Sequence, residues 1–178
     1  MSPRIILDHQ RFQLTLKRLC FQLIENHDAF SNSVIVGLQP RGILLSRCIR
    51  KELNKLSGKE LVYGELDTTF FRDDFRMKPL VPTATSMDFV VEGKRVILID
   101  DVLFTGRSIR AALDALQHFG RPASVELLVL VDRRLSRHVP VQPDYTGITV
   151  DAVFSEQVLL NWSSDESSAE VLLKNKES

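Results

Sequence analysis

Hydrophobic positions recur along the first third of the chain with two different periods, which predict alternating helices and strands. Residues 8–27 place apolar side chains about every 3.6 positions, as in an amphipathic helix, with Asp8 as its N-cap. The stretch 33–38 (SVIVGL) is apolar and rich in β-branched residues, which predicts a strand buried on both faces. Helical spacing returns over residues 42–56, and residues 61–67 favour another strand.

The second half of the chain begins with a long segment that has no regular pattern. Residues 72–91 are rich first in charge and then in Pro and Thr, so we predict a long loop there, either irregular or with a hairpin. Residues 95–101 (RVILIDD) favour a buried strand, residues 107–119 a helix, and residues 124–132 a further strand. Short strands and turns follow, with a polar turn at residues 163–168 and a frayed end.

This order of elements predicts an α/β fold with a mostly parallel, twisted sheet and helices on both of its faces. The 178 residues fit one domain, and the 23 basic and 23 acidic side chains cancel, which indicates no global attraction to nucleic acid or membrane. Cys20 and Cys48 are expected to be buried free thiols, and Trp162 a packing anchor. Because the sequence has neither a signal peptide nor a membrane-length apolar run, we expect a cytoplasmic protein.

The most specific chemical signal is the sequence VILIDDVLFTGRSIRAAL at residues 96–113. An apolar strand ends in two acids, and a short loop with Gly106 then opens a helix. Unpaired backbone N–H groups and the helix dipole favour a phosphate at a helix N-terminus, and a glycine lets the phosphate approach the backbone closely. We therefore predict a phosphate-binding loop at this junction.

The two acids, Asp100 and Asp101, stand at the carboxyl end of the strand, where open α/β sheets bind ligands. Paired carboxylates accept hydrogen bonds from adjacent hydroxyls, as on a ribose, and also attract magnesium. A second strand-to-helix junction at residues 36–42 (VGLQPRG) predicts another anion site, in which Arg41 suits a diphosphate. The sequence contains neither the Walker motif nor the G-x-G-x-x-G dinucleotide fingerprint, so it indicates a different kind of sugar-phosphate site.

These motifs together resemble the type I phosphoribosyltransferases, and within them the PyrR family of pyrimidine-operon attenuators and uracil phosphoribosyltransferases. The resemblance rests on residues 36–42, 64–75 (GELDTTFFRDDF), 96–113, 120–133 (GRPASVELLVLVDR) and 139–147 (VPVQPDYTG). It implies the type I phosphoribosyltransferase fold as a single domain over residues 1–178. It also implies a flexible lid loop at residues 68–90, and a small hood formed by residues 133–165 with the N-terminal segment.

The resemblance also assigns roles to single residues. Asp100 and Asp101 would hold the ribose hydroxyls of 5-phosphoribosyl-1-pyrophosphate (PRPP) and, with Arg72 on the lid, act in catalysis. The 5′-phosphate would lie on Leu103, Phe104, Thr105, Gly106, Arg107 and Ser108. Pyrophosphate would lie on Leu38, Gln39, Arg41, Gly42 and Arg72, with a cis peptide expected between Leu38 and Gln39. Mg²⁺ would arrive with PRPP and lie near Asp100 and Asp101, without being held by the protein alone.

The base pocket that the resemblance implies contains Phe104, Val131, Asp132 and Arg133. Purine enzymes of this class usually carry an acid where this chain has Phe104, and a phenyl ring cannot exchange a proton with a base. The implied reaction is therefore uracil plus PRPP giving uridine monophosphate (UMP) and pyrophosphate. A purine or xanthine phosphoribosyltransferase is kept as an alternative, because residues 132–140 depart from the family's D-R-G-H-R-E-L-P by one extra residue and a missing glycine.

Members of the resembled family also bind messenger RNA, so a UMP-sensing RNA regulator of pyrimidine genes with weak or no catalysis is a further alternative. The family's T-R-x-x-H reads KRLCF at residues 17–21, and its K-N-x-P-T-S reads ITVDAV at residues 148–153. These changes remove a histidine, a lysine and hydroxyl groups, which weakens the expectation of RNA binding. A basic patch would still consist of Lys17, Arg18, Arg133, Arg134, Arg137 and His138. The family implies a dimer or a larger homo-oligomer.

Overall fold

The computed structural model describes residues 3–72, 84–153 and 155–175. In chain order the elements are β1 (Arg4–Leu7), α1 (His9–His27), β2 (Ser33–Leu38), α2 (Gly42–Ser57), β3 (Tyr63–Leu66), β4 (Arg95–Leu103), α3 (Arg107–Leu116), β5 (Ser124–Asp132), β6 (Tyr145–Thr149), β7 (Glu156–Trp162) and β8 (Ala169–Asn175). Short 3₁₀ turns lie at Thr69–Phe71, Gln117–Phe119 and Arg134–Ser136.

Five of these strands form a parallel sheet in the order β3-β2-β4-β5-β6. Neighbouring residues of each central strand point to opposite faces, and both faces are buried. Ile35 and Ile97 lie in the core shared with α1 and α2, whereas Val34 and Val96 lie in the core shared with α3. Because apolar residues occupy both faces, helices must cover both, which confirms the α/β fold expected from the order of elements.

The remaining strands form a separate antiparallel sheet in the order β1-β8-β7. Its apolar face packs on α1, where the rings of Phe12 and Trp162 meet edge to face with their centres 5.6 Å apart. Trp162 is thus a packing anchor, as expected. The polar turn expected between β7 and β8 is closed by Ser163, whose hydroxyl donates to Asp165 at 2.7 Å.

Several element boundaries differ from the expected ones. Strand β4 continues to Leu103, two residues past the acids, because residues 102 and 103 still pair with β5. Helix α3 ends at Leu116, and the expected remainder of the helix is a 3₁₀ turn before Gly120, whose φ is 120°. In the long loop, Ser86 forms an isolated antiparallel bridge with Glu65 of β3. Residues 73–83, about half of the expected lid at residues 68–90, and the final residues 176–178 lie outside the described residues.

A buried polar cluster ties α1 to the amino-terminal edge of the parallel sheet. His27 bonds to the hydroxyl of Ser33 at 2.8 Å through Nδ1 and to the carboxylate of Glu126 at 3.0 Å through Nε2. Glu126 also accepts from Tyr145 at 2.7 Å and pairs with Arg95 at 2.8 Å. Burial lowers the pKa of His27, against the opposing charge of Glu126. The cluster therefore links four elements of the fold through one carboxylate.

Both cysteines are free thiols, but only Cys20 is fully buried, and Cys48 is half-buried. The expectation of two buried thiols was therefore right for Cys20 and too strong for Cys48. Burial raises the pKa of Cys20 to about 12, so this side chain behaves as a small apolar group. In the part of the chain that the structure describes, no helix combines the length and the apolar composition needed to cross a bilayer.

Candidate active site

A cavity of about 450 Å³ opens at the carboxyl ends of β2 and β4 and brings most of the predicted site residues together. Its size is within the range of small-molecule sites. The register of the sheet explains its place, because β2 and β4 are neighbours and Gly37 pairs with Ile99, one residue before the acids. The lining residues are Leu38, Gln39, Pro40, Arg41, Arg72, Asp100, Asp101, Val102, Leu103, Phe104, Thr105, Gly106, Arg107, Ser108 and Ile109.

Residues 38–42, called here the pyrophosphate loop after the predicted role, connect β2 to α2 on one side of the cavity. Gly42 starts α2, and a Cβ on it would lie 2.5 Å from the carbonyl oxygen of Ile99 and 2.9 Å from Cα of Asp100. Only a residue without a side chain lets the helix start so close to β4. Gly42 therefore brings the loop against the acids without lining the cavity itself.

The peptide bonds and the side chain of Gln39 give this loop its shape. The cis peptide lies between Gln39 and Pro40, so the expectation of a cis bond between Leu38 and Gln39 was wrong. The physical reason is that a bond preceding proline has a much smaller preference for trans than any other peptide bond. The Gln39 amide donates from Nε2 to the carbonyl of Ala84 at 3.0 Å, whereas its buried Oε1 has no hydrogen-bond partner among the described residues.

Asp100 and Asp101 lie at the centre of the cavity and are more than nine-tenths buried, with exposures of 8% and 7%. Each carboxylate accepts one hydrogen bond from the backbone N–H of the next residue, at 3.0 Å for Asp100 and 2.7 Å for Asp101. Burial is the main cause that raises the pKa of both side chains, and the charge of Asp101 raises the pKa of Asp100 further. The positive charge of Arg41 acts in the opposite direction on both. The pair is thus well suited to accept hydrogen bonds or to attract a cation.

The donor set fits a divalent cation that brings some of its own ligands. Carboxylate oxygens are preferred Mg²⁺ ligands, and a cation beside Asp100 and Asp101 would relieve the unfavourable burial of two negative charges. Within the described ranges, no group of three or more His, Cys, Asp or Glu side chains is arranged to hold a metal ion. A magnesium ion here would therefore need further oxygen ligands, from water or from a bound phosphate compound.

Residues 103–108, called here the phosphate loop, form the opposite side of the cavity and lead into α3. Gly106 is the N-cap of α3 and has a φ of 86°, a conformation that side chains other than glycine rarely adopt. A Cβ there would also lie 3.2 Å from the carbonyl oxygen of Val139. The predicted phosphate-binding residues thus lie around a helix N-terminus of the expected kind.

Arg72 lies on the phosphate-loop side of the cavity. Its Nη1 donates to Oγ of Ser108 at 2.8 Å, and the preceding 3₁₀ turn is held by Arg110, which donates to the carbonyl of Phe71 at 3.5 Å. The predicted catalytic cation and a predicted phosphate ligand are therefore in direct contact. The predicted place of Arg72 over pyrophosphate stays a prediction, because the observed contact of Arg72 is with Ser108 of the phosphate loop and not with the pyrophosphate loop.

The predicted base pocket is only partly assembled around the cavity. Phe104 lines it, and the guanidinium of Arg133 lies over the Phe104 ring, outside the lining, with only 4% of the residue exposed. Val131 is fully buried in the core that contains α1 and α2, and Asp132 forms an ion pair with Arg137. The contact of Val131, Asp132 and Arg133 with a base stays a prediction.

The side chains of the expected basic patch are largely engaged in contacts within the protein. Arg18 donates to the carbonyls of residues 146 and 147 at 3.0 and 2.6 Å, and Arg134 forms two hydrogen bonds to Asp151 at 2.6 and 2.7 Å. Arg133 and Arg137 are inward-facing. The patch expected for an RNA backbone is therefore not a continuous surface of available cations.

Sequence reasoning missed several residues that shape the cavity. Val102 and Ile109 line it, and each directly neighbours a residue that was predicted, whereas Pro40, which also lines it, belongs to the predicted pyrophosphate loop. The more important omission is Arg137, whose guanidinium donates to backbone carbonyls of the phosphate loop. No local pattern marks it, because its contacts reach more than 30 positions back along the chain.

Comparison with known proteins places these features in context. A family model described as the phosphoribosyl transferase domain matches residues 4–161. The chain is 43% identical over 157 residues to the "Bifunctional protein PyrR" of Haemophilus ducreyi, with 87% of each protein covered. It is 37% identical over 177 residues to the "Pyrimidine operon regulatory protein" of Lactococcus lactis subsp. cremoris, covering 99% of this chain and 100% of that protein.

The solved structures that match share the fold at lower sequence identity. A hypoxanthine phosphoribosyltransferase from Staphylococcus aureus superimposes with a TM-score of 0.66 at 20% identity. The match covers 85% of this chain and 80% of that one. At this identity the likeness concerns the fold, and the choice of base must come from the site.

Proposed function

The chain belongs to the PyrR family of phosphoribosyltransferases, and we propose on this premise that it transfers the phosphoribosyl group of PRPP to uracil, giving UMP and pyrophosphate. One observation carries the proposal. A single cavity is bounded by two loops that each lead into a helix, and the buried pair Asp100 and Asp101 lies between them. PRPP has a matching distribution of groups, with a phosphate at one end, a diphosphate at the other and two hydroxyls between.

In this proposal the phosphate loop holds the 5′-phosphate at the N-terminus of α3. The N-cap Gly106 lets the phosphate approach backbone N–H groups, and the hydroxyls of Thr105 and Ser108 add donors. Asp100 and Asp101 accept hydrogen bonds from the ribose 2′ and 3′ hydroxyls. These contacts fix the sugar at both ends and orient its C1 atom toward the base.

The pyrophosphate loop receives the leaving group. In the reaction the bond from C1 to the pyrophosphate oxygen breaks, the bond from C1 to N1 of uracil forms, and the N1 proton passes to the departing pyrophosphate or to solvent. Negative charge therefore accumulates on pyrophosphate as the bond breaks. Arg41 belongs to this loop and lines the cavity, and Arg72 lines the same cavity, so both supply positive charge for that stage.

Magnesium would be held by oxygen atoms of PRPP beside Asp100 and Asp101, and when bound it neutralises negative charge on pyrophosphate. The chain's contribution is the buried carboxylate pair, which is unfavourable without a cation or hydroxyl donors nearby. The proposal thus includes Mg²⁺ as a component that accompanies the substrate.

The choice of a pyrimidine is supported by Phe104 and by the names of the relatives. A phenyl ring offers a flat apolar surface and no group for a purine ring proton, whereas uracil has an acidic N1 and needs less assistance. One relative is named for a pyrimidine operon. The competing enzymatic activity is that of a purine or xanthine phosphoribosyltransferase.

The decisive experiment measures base-dependent consumption of PRPP by the purified protein with uracil, hypoxanthine, guanine, xanthine and orotate. We expect consumption with uracil and formation of UMP and pyrophosphate in equal amounts. Consumption with a purine alone would replace the pyrimidine assignment. Consumption with none of the bases, while UMP still binds, would favour a sensor without catalysis.

A second function is supported by the same relatives, one of which is named bifunctional and one a regulatory protein. We propose that the chain also senses UMP in the control of pyrimidine genes, by binding the leader transcript as a dimer or larger oligomer. The ion pairs of Arg134 with Asp151 and of Arg137 with Asp132 make these two side chains poorer candidates for that binding. Filter binding with a pyrimidine leader transcript, with and without UMP, tests the idea, and UMP-independent or absent retention counts against it.

A further inference from the structure

Successive carbonyl groups of the phosphate loop are bonded to the short segment that follows β5. The oxygen of Leu103 accepts from the backbone N–H of Arg133 at 3.0 Å. The oxygen of Thr105 accepts from two backbone N–H groups, those of His138 and Val139, at 2.9 and 3.0 Å. A loop that binds an anion through its N–H groups needs such partners, because its carbonyl oxygens must point elsewhere and be satisfied there.

Arg137 completes this arrangement with its side chain. Its Nη1 donates to the carbonyl of Phe104 at 2.6 Å and to that of Leu103 at 3.1 Å. The same guanidinium donates from Nε to the carbonyl of Val141 at 3.0 Å and from Nη2 to the carboxylate of Asp132. Because the side chain is only 18% exposed, these bonds are shielded from water.

The direction of a carbonyl determines the direction of the next N–H group. In a trans peptide the C=O of one residue and the N–H of the following residue lie in the same plane and point in opposite directions. Holding the carbonyls of Phe104 and Thr105 on the side of Arg137 therefore turns the N–H groups of Thr105 and Gly106 to the other side. Both residues line the cavity.

We propose that Arg137 is a positioning residue that orients the N–H groups of the phosphate loop for the 5′-phosphate. The inference rests on the proposed function, since it concerns the site assigned there to the 5′-phosphate. Lysine cannot replace Arg137, because one ammonium lacks the planar set of donors that reaches several carbonyls and a carboxylate at once. Arg137 acts through the backbone and does not itself touch the substrate.

The test compares two ligands that address opposite sides of the cavity. Binding of ribose 5-phosphate and of magnesium pyrophosphate is measured by calorimetry for the full chain and for Arg137→Met, Arg137→Lys and Arg134→Met. The last variant is a matched control, because Arg134 carries the same charge nearby but is exposed and paired with Asp151. We expect both Arg137 variants to weaken ribose 5-phosphate binding by between about tenfold and a hundredfold. Pyrophosphate binding should stay within about twofold, and the control should bind both ligands normally.

Each other outcome has a defined meaning. If Arg137→Lys binds ribose 5-phosphate as tightly as the unmodified chain, or if pyrophosphate binding falls equally, the positioning role is wrong. If the unmodified chain binds no ribose 5-phosphate at all, the proposed function fails instead. Should Arg137→Met fail to fold, Arg137→Lys carries the test alone. Hydrogen exchange at residues 103–108 of that variant should then be faster than in the Arg134→Met control.

Discussion

The guanidinium carbon of Arg133 lies 4.1 Å from the centre of the Phe104 ring. Arg133 is almost fully buried beneath this ring, and a second contact from its Nη2 to the carbonyl of Val153 at 3.1 Å holds it there. A cation on one face of an aromatic ring is an attractive arrangement that strengthens when water is excluded. Phe104 is thus fixed as a flat surface at the cavity wall.

This contact predicts a specific effect on the base. Arg133→Met should raise the KM for uracil while leaving the KM for PRPP nearly unchanged, because the Phe104 ring loses its support whereas the backbone of the phosphate loop keeps its hydrogen bonds. The coupling between Arg133→Met and Phe104→Leu in a double-mutant cycle should be about 0.5–2 kcal/mol. Steady-state kinetics with each substrate varied in turn measures both quantities. Additive effects of the two substitutions would show that the stacking has no role in base binding.

The two central acids lead to a prediction about turnover and stability together. Replacing Asp100 and Asp101 by Asn keeps the backbone-facing acceptor oxygen of each side chain but removes the buried charges. We expect turnover to fall by about a hundredfold or more, because the ribose hydroxyls lose charged acceptors. The free protein should melt at a higher temperature, since burial disfavours the charged forms. Retained turnover would contradict the ribose role.

The same pair predicts that ligand binding depends on pH. In the free protein the raised pKa of Asp100 lets the carboxyl keep its proton above the ordinary value of 3.8. A ribose hydroxyl that donates to the carboxylate favours its charged form, so binding lowers this pKa and releases a proton. Affinity for UMP should therefore fall as the pH drops through the range above 3.8.

The matched ligand for that experiment is deoxy-UMP, which has the same titrating phosphate but no 2′ hydroxyl. Calorimetry at several pH values should show a steeper dependence for UMP than for deoxy-UMP. Measurements in two buffers of different ionisation enthalpy count the protons released. Equal slopes for the two ligands would mean that the acids do not report on the ribose.

Arg72 is expected to act on turnover more than on binding. Its charge lies in the cavity beside Ser108, and negative charge develops on pyrophosphate only as the bond breaks. Arg72→Ala should therefore lower kcat by about tenfold or more and change the UMP dissociation constant much less. Arg134→Ala, which removes an exposed charge paired with Asp151, serves as the control. Equal losses in kcat and in UMP affinity would assign Arg72 to ground-state binding.

Local patterns in the sequence were sufficient for the parallel sheet and for the two loops. The strands β2 and β5 have the predicted ends, because continuous apolar runs such as SVIVGL describe a strand whose two faces are buried. The phosphate loop was recognisable because an apolar strand that ends in two acids is followed closely by T-G-x-S and an amphipathic helix. Both features depend on residues that are adjacent in the chain.

The walls of the site depend on contacts between distant segments, which no local pattern encodes. Arg137 appeared only as a member of a surface patch, yet it bonds to carbonyls of the phosphate loop. Arg133 was placed both in that patch and in the base pocket with Phe104, and the structure stacks it on Phe104. Val131 illustrates a related difficulty, since residues on either face of a buried strand look alike in sequence. Its side chain is buried in the core that contains α1 and α2, and its contact with a base stays a prediction.

The polar cluster around Glu126 lies at the opposite edge of the same sheet from the cavity. There His27, Tyr145 and Arg95 surround one carboxylate with donors, whereas the cavity edge holds two acids with raised pKa values. One end of the sheet thus has a carboxylate that is fully hydrogen-bonded, whereas the other end has two buried carboxyl groups whose charged forms are disfavoured. Substitutions around the cavity can alter reactivity while the far end preserves the architecture, which makes this scaffold a suitable starting point for redesigning base preference.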